Sequence, residues 1–182
     1  MALRGRTLFP EADCFFVTTT CYKWYHLLAS DLCKRIVCAS IDFLNAKYKT
    51  HALGYVVMPN HIHLILFFPE KNEVSGWMRD LKKFTAVRIR QEIERVGNVD
   101  LLERLRIPER KQVFKVWEDR FDDVVISDSK TLNIKLDYIH FNPLQEHWRL
   151  AARPEDYEFS SAKYYESAAQ GPCQVTDFRE FF

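Results

Sequence analysis

The sequence predicts an α+β fold of the ferredoxin-like (split βαβ) kind, an antiparallel sheet with helices on one face, followed by a further helix and a C-terminal tail. Three observations lead there. The hydrophobic periodicity gives the order strand, helix, strand, strand, helix, strand, helix. The 182 residues suit one domain, expected over 1–150, with 151–182 as a tail packed on it. The stretch without Asp, Glu, Lys or Arg from Thr50 to Pro69 is long enough to span a bilayer, yet Pro59, Asn60, His61 and His63 interrupt it, so it reads as a hairpin.

Taken in order, Cys14 to Cys21 is rich in Phe, Val and Thr, a strand composition. From Asp31, a candidate N-cap, to Lys49, the apolar residues Leu32, Ile36, Ile41, Phe43 and Leu44 recur near helical spacing. Leu53, Tyr55 and Val57 alternate along a second strand, Met58-Pro59-Asn60 turns the chain, and His61 to Phe68 forms a third strand with two largely apolar faces. A second helix runs from about Val74 to Arg95 and buries Trp77, Met78, Leu81, Phe84 and Thr85. Arg79, Lys82, Lys83 and Arg90 fall on another of its faces. Asp100 to Arg110 is a charged excursion, a short helix or a loop, ending at Pro108. Val113–Trp117 and Phe121–Ile126 are extended by composition. Asp128 caps a third helix that turns Leu132, Leu136, Ile139 and His140 inward and stops before Pro143. In the tail, Ser160–Ser167 is helical and the aromatic end, Phe178, Phe181 and Phe182, is expected to pack back on the body.

A composition of 47% hydrophobic residues with few Gly and Pro excludes disordered and low-complexity classes. The N-terminus lacks an apolar run behind Arg4 and Arg6, so a cytoplasmic protein without a membrane partner is expected. Cys14, Cys21, Cys33, Cys38 and Cys173 form no CxxC pair and read as free buried thiols. Net charge is only +1, but it is segregated: residues 1–70, 71–116 and 117–182 carry +2, +5 and −6. A polyanion would lie along the middle segment. The acidic tail suggests a cover over the site.

Chemistry concentrates in two places. His61 and His63 flank Ile62 on a strand, so both imidazoles share a sheet face and can hold one divalent metal. A bare H-x-H is more often a hydrogen-bonded pair, and the hydrolase pattern H-x-H-x-D-H is absent from HIHLIL. In YIHFNP, Tyr138 and Asn142 lie at i and i+4 and point the same way; Asn142 offers an amide oxygen to a hard cation and Tyr138 a nucleophile. The plain alternatives are a half-buried aromatic and a helix C-cap. A histidine pair, a helical tyrosine with an amide one turn on, and a basic helix between them form a specific combination.

With these motifs the chain resembles the REP-associated tyrosine transposases, a branch of the single-tyrosine HUH transposases. The carriers are VVMPNHIHLIL (56–66), VSGWMRDLKKFTA (74–86), Trp117 with Phe121, YIHFNP (138–143) and PEDYEFSS (154–161), in the family's order. The resemblance implies that His61 and His63 ligate Mg or Mn with Asn142 as a third ligand, that Tyr138 is the nucleophile, and that Arg79, Lys82 and Lys83 contact DNA. One departure is Leu144-Gln145-Glu146-His147, where the family usually has a glycine-containing turn. The implied reaction is cleavage and rejoining of a single DNA strand beside a hairpin, a REP-type palindrome, through a 5′-phosphotyrosine. Tyrosine ordinarily ionises near ~10 and needs a nearby cation or proton acceptor to attack at neutral pH. Tyr22, Trp24 and Tyr25 are candidates for stacking on bases or for packing in the body. The resemblance points to a monomer, with a dimer, as in related insertion-sequence enzymes, as the alternative. The competing reading is a non-catalytic regulator that binds hairpin or single-stranded nucleic acid.

Overall fold

A computed structural model describes residues 11–107 and 114–182. The expectations for Arg4, Arg6, Pro108 and Val113 lie outside the described residues. Four strands, β1 (Cys14–Thr20), β2 (His51–Val57), β3 (His61–Phe67) and β4 (Asp122–Val125), form one antiparallel sheet in the order β2-β3-β1-β4. The helices are α1 (Asp31–Tyr48), α2 (Val74–Arg95), α3 (Val99–Leu105), α4 (Ser129–Phe141) and α5 (Ala162–Ser167). This is the expected split βαβ order, with α4 added after β4.

The strands β1, β2 and β3 are largely buried on both faces, β4 on one, and their alternation assigns each face. Register sets Phe16, Thr18 and Thr20 of β1 opposite Ile65, His63 and His61 of β3, so these six side chains share one face. On the other, the Tyr55 hydroxyl lies near Cys38 and Asp42 of α1. The two long helices pack together on that face and α4 takes the histidine face. Gly54 makes the close approach of α4 possible: a Cβ there would meet Leu136 Cδ2 at 2.5 Å and Ile139 Cδ1 at 3.1 Å.

Several local expectations shift. Ser30, not Asp31, caps α1, its hydroxyl accepting from the Cys33 amide at 3.2 Å, while Asp31 pairs with Lys34. The buried stripe of α1 is Cys33, Val37, Cys38, Ile41 and Leu44, leaving Leu32 and Phe43 exposed. Phe84 of α2 is exposed too, and it meets Phe43 edge-on at 6.0 Å, so each covers the other where the helices cross. The run ending at Trp117 is no strand of the sheet. Phe114 bridges Arg106 and Trp117 bridges Cys21, which divides its backbone bonds between two partners. All five cysteines are free and buried. Among the described residues no helix is long and apolar enough to cross a membrane.

The tail lies against the outer edge of β2. Val57 N donates to Phe159 O and Ser161 N to Tyr55 O, both at 2.9 Å. Phe181 packs on Phe67 at 4.4 Å and Phe178 on Tyr165 at 5.8 Å, so the aromatic end does fold back.

Candidate functional site

The turn after β2 fixes the start of β3. Its carbonyls are used by a neighbouring segment, Leu28 N bonding Pro59 O at 2.9 Å and Cys21 N bonding Asn60 O at 2.8 Å. His61 and His63 then emerge on one face with ring centroids 4.8 Å apart. Asn60 Oδ1 accepts from His61 Nδ1 at 2.6 Å. A carbonyl oxygen only accepts, so Nδ1 carries the proton and Nε2 keeps its lone pair. His63 Nδ1 is 2.7 Å from the Thr18 hydroxyl, and Phe16 stacks on the His63 ring at 5.4 Å. Burial pushes His61 down to about 4. Burial, reinforced by His61 and Lys135, pushes His63 down to about 3. Both imidazoles are therefore neutral near pH 7, the form that ligates metals.

The α4 helix supplies the other half. Asp128 caps it, its carboxylate accepting from Thr131 N at 2.8 Å, and Leu136 and Ile139 seat it over Gly54. Tyr138 is 46% exposed, with its ring 5.2 Å from His63 and 5.9 Å from Phe16. One turn on, Asn142 is 3% exposed. Its Nδ2 stands 3.5 Å from His63 Nε2, and its Oδ1 is buried without a hydrogen-bond partner. His140 points away, its Nε2 2.8 Å from the Ser161 hydroxyl. His61, His63, Tyr138 and Asn142 line one cavity of about 820 Å³. Among the described residues none beyond Trp148 lines it, so the expected cover by the tail is not found.

Among the described residues, no three His, Cys, Asp or Glu side chains converge as a metal site. A metal on the histidine pair would need a donor of another kind, and the unpartnered Asn142 amide oxygen is of that kind.

The basic residues predicted to meet DNA are not in this cavity. Lys82 and Lys83 line a separate groove of about 670 Å³ with Arg90, Phe114 and Trp117. Lys82 Nζ donates to the carbonyls of Glu118 at 3.1 Å and Arg120 at 2.9 Å, which ties the loop before β4 to α2. Lys83 is exposed. Arg79 lies outside the groove, beside Asp80 at 3.4 Å. Groove and cavity meet at one strand end, where Glu118 N bonds the carbonyl of Thr20 at 2.9 Å.

Sequence reasoning missed several cavity residues. Lys135 lies three residues before Tyr138 on the same helix face, a spacing that could have exposed it; its Nζ stands 4.7 Å over the Phe16 ring. Thr18 and Trp148 are brought in by strand register and by the turn after Pro143, for which the sequence holds no local signal. Of the three aromatics offered for stacking, Trp24 stands exposed at the cavity, whereas Tyr22 and Tyr25 pack edge-on against each other at 6.4 Å.

The sequence model of the family described as IS200-like transposases matches residues 13–142. The fold is similar to the structure of a REP-associated tyrosine transposase bound to a REP hairpin, with a TM-score of 0.62, 19% identity, and coverage of 97% of this chain and 89% of that one. A protein from Deinococcus radiodurans R1 described as a transposase aligns with a TM-score of 0.44 and 16% identity, covering 69% of this chain and 87% of the other. Among curated proteins none matches.

Proposed function

From the premise that the chain belongs to the IS200-like transposase family, we propose that it is a single-tyrosine transposase of the REP-associated kind, cutting and rejoining one DNA strand beside a hairpin. The observation that carries this reading is the convergence of Tyr138, His61, His63 and Asn142 on one open cavity. The structural relative is bound to a REP hairpin, which supports hairpin DNA as substrate here.

In the proposed reaction Tyr138 Oη attacks phosphorus. The Oη–P bond forms, the P–O3′ bond breaks, and the phenolic proton passes in net to the departing 3′ oxygen. The protein is left with a 5′-phosphotyrosine, and reversal on another 3′-hydroxyl reseals the strand without ATP. The donor set fits a divalent cation: two neutral imidazoles beside Asn142, and on Asn142 a buried amide oxygen without a hydrogen-bond partner. His61, His63 and Asn142 would hold Mg or Mn, which when bound supplies positive charge at the scissile phosphate. The stacked Phe16 and His63 rings both meet the Tyr138 ring edge-on, while its exposure leaves room for a strand. Lys135 adds a cation to the cavity's lining, where it would favour a bound phosphate. Lys83 and Arg90 would meet phosphates further along the strand. One chain contains this whole set, so we infer a working monomer.

The test uses end-labelled hairpin DNA with single-stranded flanks, manganese and a denaturing gel. Wild type should carry covalently bound DNA, and Tyr138→Phe should bind the hairpin equally well without forming the adduct. Adduct formation by the folded Tyr138→Phe variant would reject the nucleophile.

A further inference from the structure

The turn that follows β1 carries an unusual backbone. Lys23 (φ 51) and Trp24 (φ 59) are consecutive non-glycine residues in the left-handed region, which a bulky side chain rarely occupies. Bonds from three directions hold them there. Lys23 N donates to Glu118 Oε1 at 2.8 Å, Trp24 N to Cys21 O at 3.0 Å, and Asn60 Nδ2 to the Trp24 carbonyl at 3.4 Å. Such a turn would be understandable if it buried its indole, but Trp24 is 63% exposed.

The indole is exposed at one particular place. Its ring lies 6.3 Å from the His61 ring, and Trp148 approaches the same imidazole at 6.1 Å. Trp148 also occupies a forced turn, since Arg149 after it has φ 47. Asn60 joins the parts: one end of its amide bonds the Trp24 carbonyl and the other the His61 ring. His26 and His147 stand beside Trp148, so the rim around the indoles is polar.

We propose that Trp24 and Trp148 form a stacking slot for one unpaired nucleobase next to the phosphate that Tyr138 attacks. The proposal rests on the function inferred above. A nucleobase has flat π faces and polar edges, which matches an exposed indole and a half-buried one with a polar rim; an aliphatic peptide would need a continuous apolar patch. A base held in a duplex has its faces covered by its neighbours and cannot enter, so the slot selects single-stranded DNA at the cleavage point. Stacking needs no base-edge hydrogen bond and tolerates sequence.

The experiment compares binding of two fluorescent oligomers of equal length, oligo-dT and its fully abasic counterpart, which keeps every phosphate and removes every base. All proteins carry Tyr138→Phe, so covalent capture cannot contribute. The parent protein should prefer oligo-dT by about tenfold. Trp24→Ala should lose most of that preference with little change in affinity for the abasic chain, Trp24→Phe should retain most of it, and Lys83→Ala should weaken both oligomers equally. A parent that holds the two oligomers alike, or a folded Trp24→Ala protein that keeps the full preference, overturns the slot. The gel assay on the Tyr138-containing protein reports the nucleophile separately: a base preference without an adduct removes the transposase chemistry and leaves the slot, and an adduct without a Trp24-dependent preference does the reverse.

Discussion

Replacing Asn142 by leucine should make the metal-free protein more stable and deprive it of metal. Leucine has the same branching and number of side-chain heavy atoms. Asn142 is 3% exposed, its Oδ1 has no partner, and its Nδ2 reaches His63 only at 3.5 Å. A buried polar atom without a partner costs about 1–3 kcal/mol, whereas the long contact to His63 and the interaction with His61 return less. Allowing for some loss of fit around the new methyl groups, Asn142→Leu should gain about 1 kcal/mol in chelator, a rise in Tm of about 2–4 °C for a chain of this size. Manganese at a hundredfold excess over its Kd should stabilise wild type by about 2.7 kcal/mol by mass action and leave the variant nearly unchanged. Urea unfolding with chelator and with manganese, on both proteins, measures all four states. A variant less stable than wild type in chelator, yet stabilised equally by manganese, would show that Asn142 is a structural amide and that the metal, if bound, has other ligands.

Three further outcomes follow from the geometry. Lys83→Ala should reduce the slope of log K against log salt by nearly one phosphate contact at unchanged stability, whereas Lys82→Ala should lower stability by about 1 kcal/mol, because its Nζ holds the carbonyls of Glu118 and Arg120; salt titration and urea unfolding separate the two, and identical behaviour would refute the distinction. Asp80 accepts from Lys47 Nζ at 2.6 Å and Tyr48 Oη at 2.8 Å, bonds that hold its carboxyl below the usual range; the stability it contributes is present above about pH 4 and lost as pH falls through the depressed value, so Asp80→Asn should cost about 1 kcal/mol at pH 7, and a cost that persists at pH 2 would contradict the assignment. Gly54→Ala should cost about 1–3 kcal/mol by pressing on Leu136 and Ile139, and should slow adduct formation beyond the unfolded fraction because Tyr138 rides on the displaced helix; stability loss measured by urea with an unchanged adduct rate would argue against that coupling.

Much of the fold could be read in the sequence because period carries it. Alternation in 53–57 and 61–67 and the break at Met58-Pro59-Asn60 locate the central hairpin, and the helical stripes locate α1 and α2. The phase of a stripe is less secure: Phe43 and Phe84 look inward by composition, and only the crossing of two helices gives them an outside partner. Failure at Phe114–Trp117 has a similar cause, since strand-like composition does not reveal whether a run pairs with one neighbour or divides itself between Arg106 and Cys21. The lining of the candidate site was legible where its parts lie close in sequence, as with His61 and His63 or Tyr138 and Asn142. Thr18 became visible only through the register of β1 on β3, and Lys82 looked like a free cation because its carbonyl partners lie 36 to 38 residues away.

The tail acts on the site from behind. An edge strand with unpaired backbone invites association, and β2 is such an edge; Val57 and Tyr55 are instead paired by Phe159 and Ser161. Ser161 has a second connection, since its hydroxyl accepts from Tyr55 N at 3.0 Å and stands 2.8 Å from His140 Nε2. His140 lies two residues from both Tyr138 and Asn142, on the opposite side of α4 from them. The helix is thus held between Gly54 and Ile65 beneath and the Ser161 hydroxyl at its flank, with no tail residue entering the cavity. Its Tyr138 side lies half-exposed at the cavity, resting on Phe16 and His63.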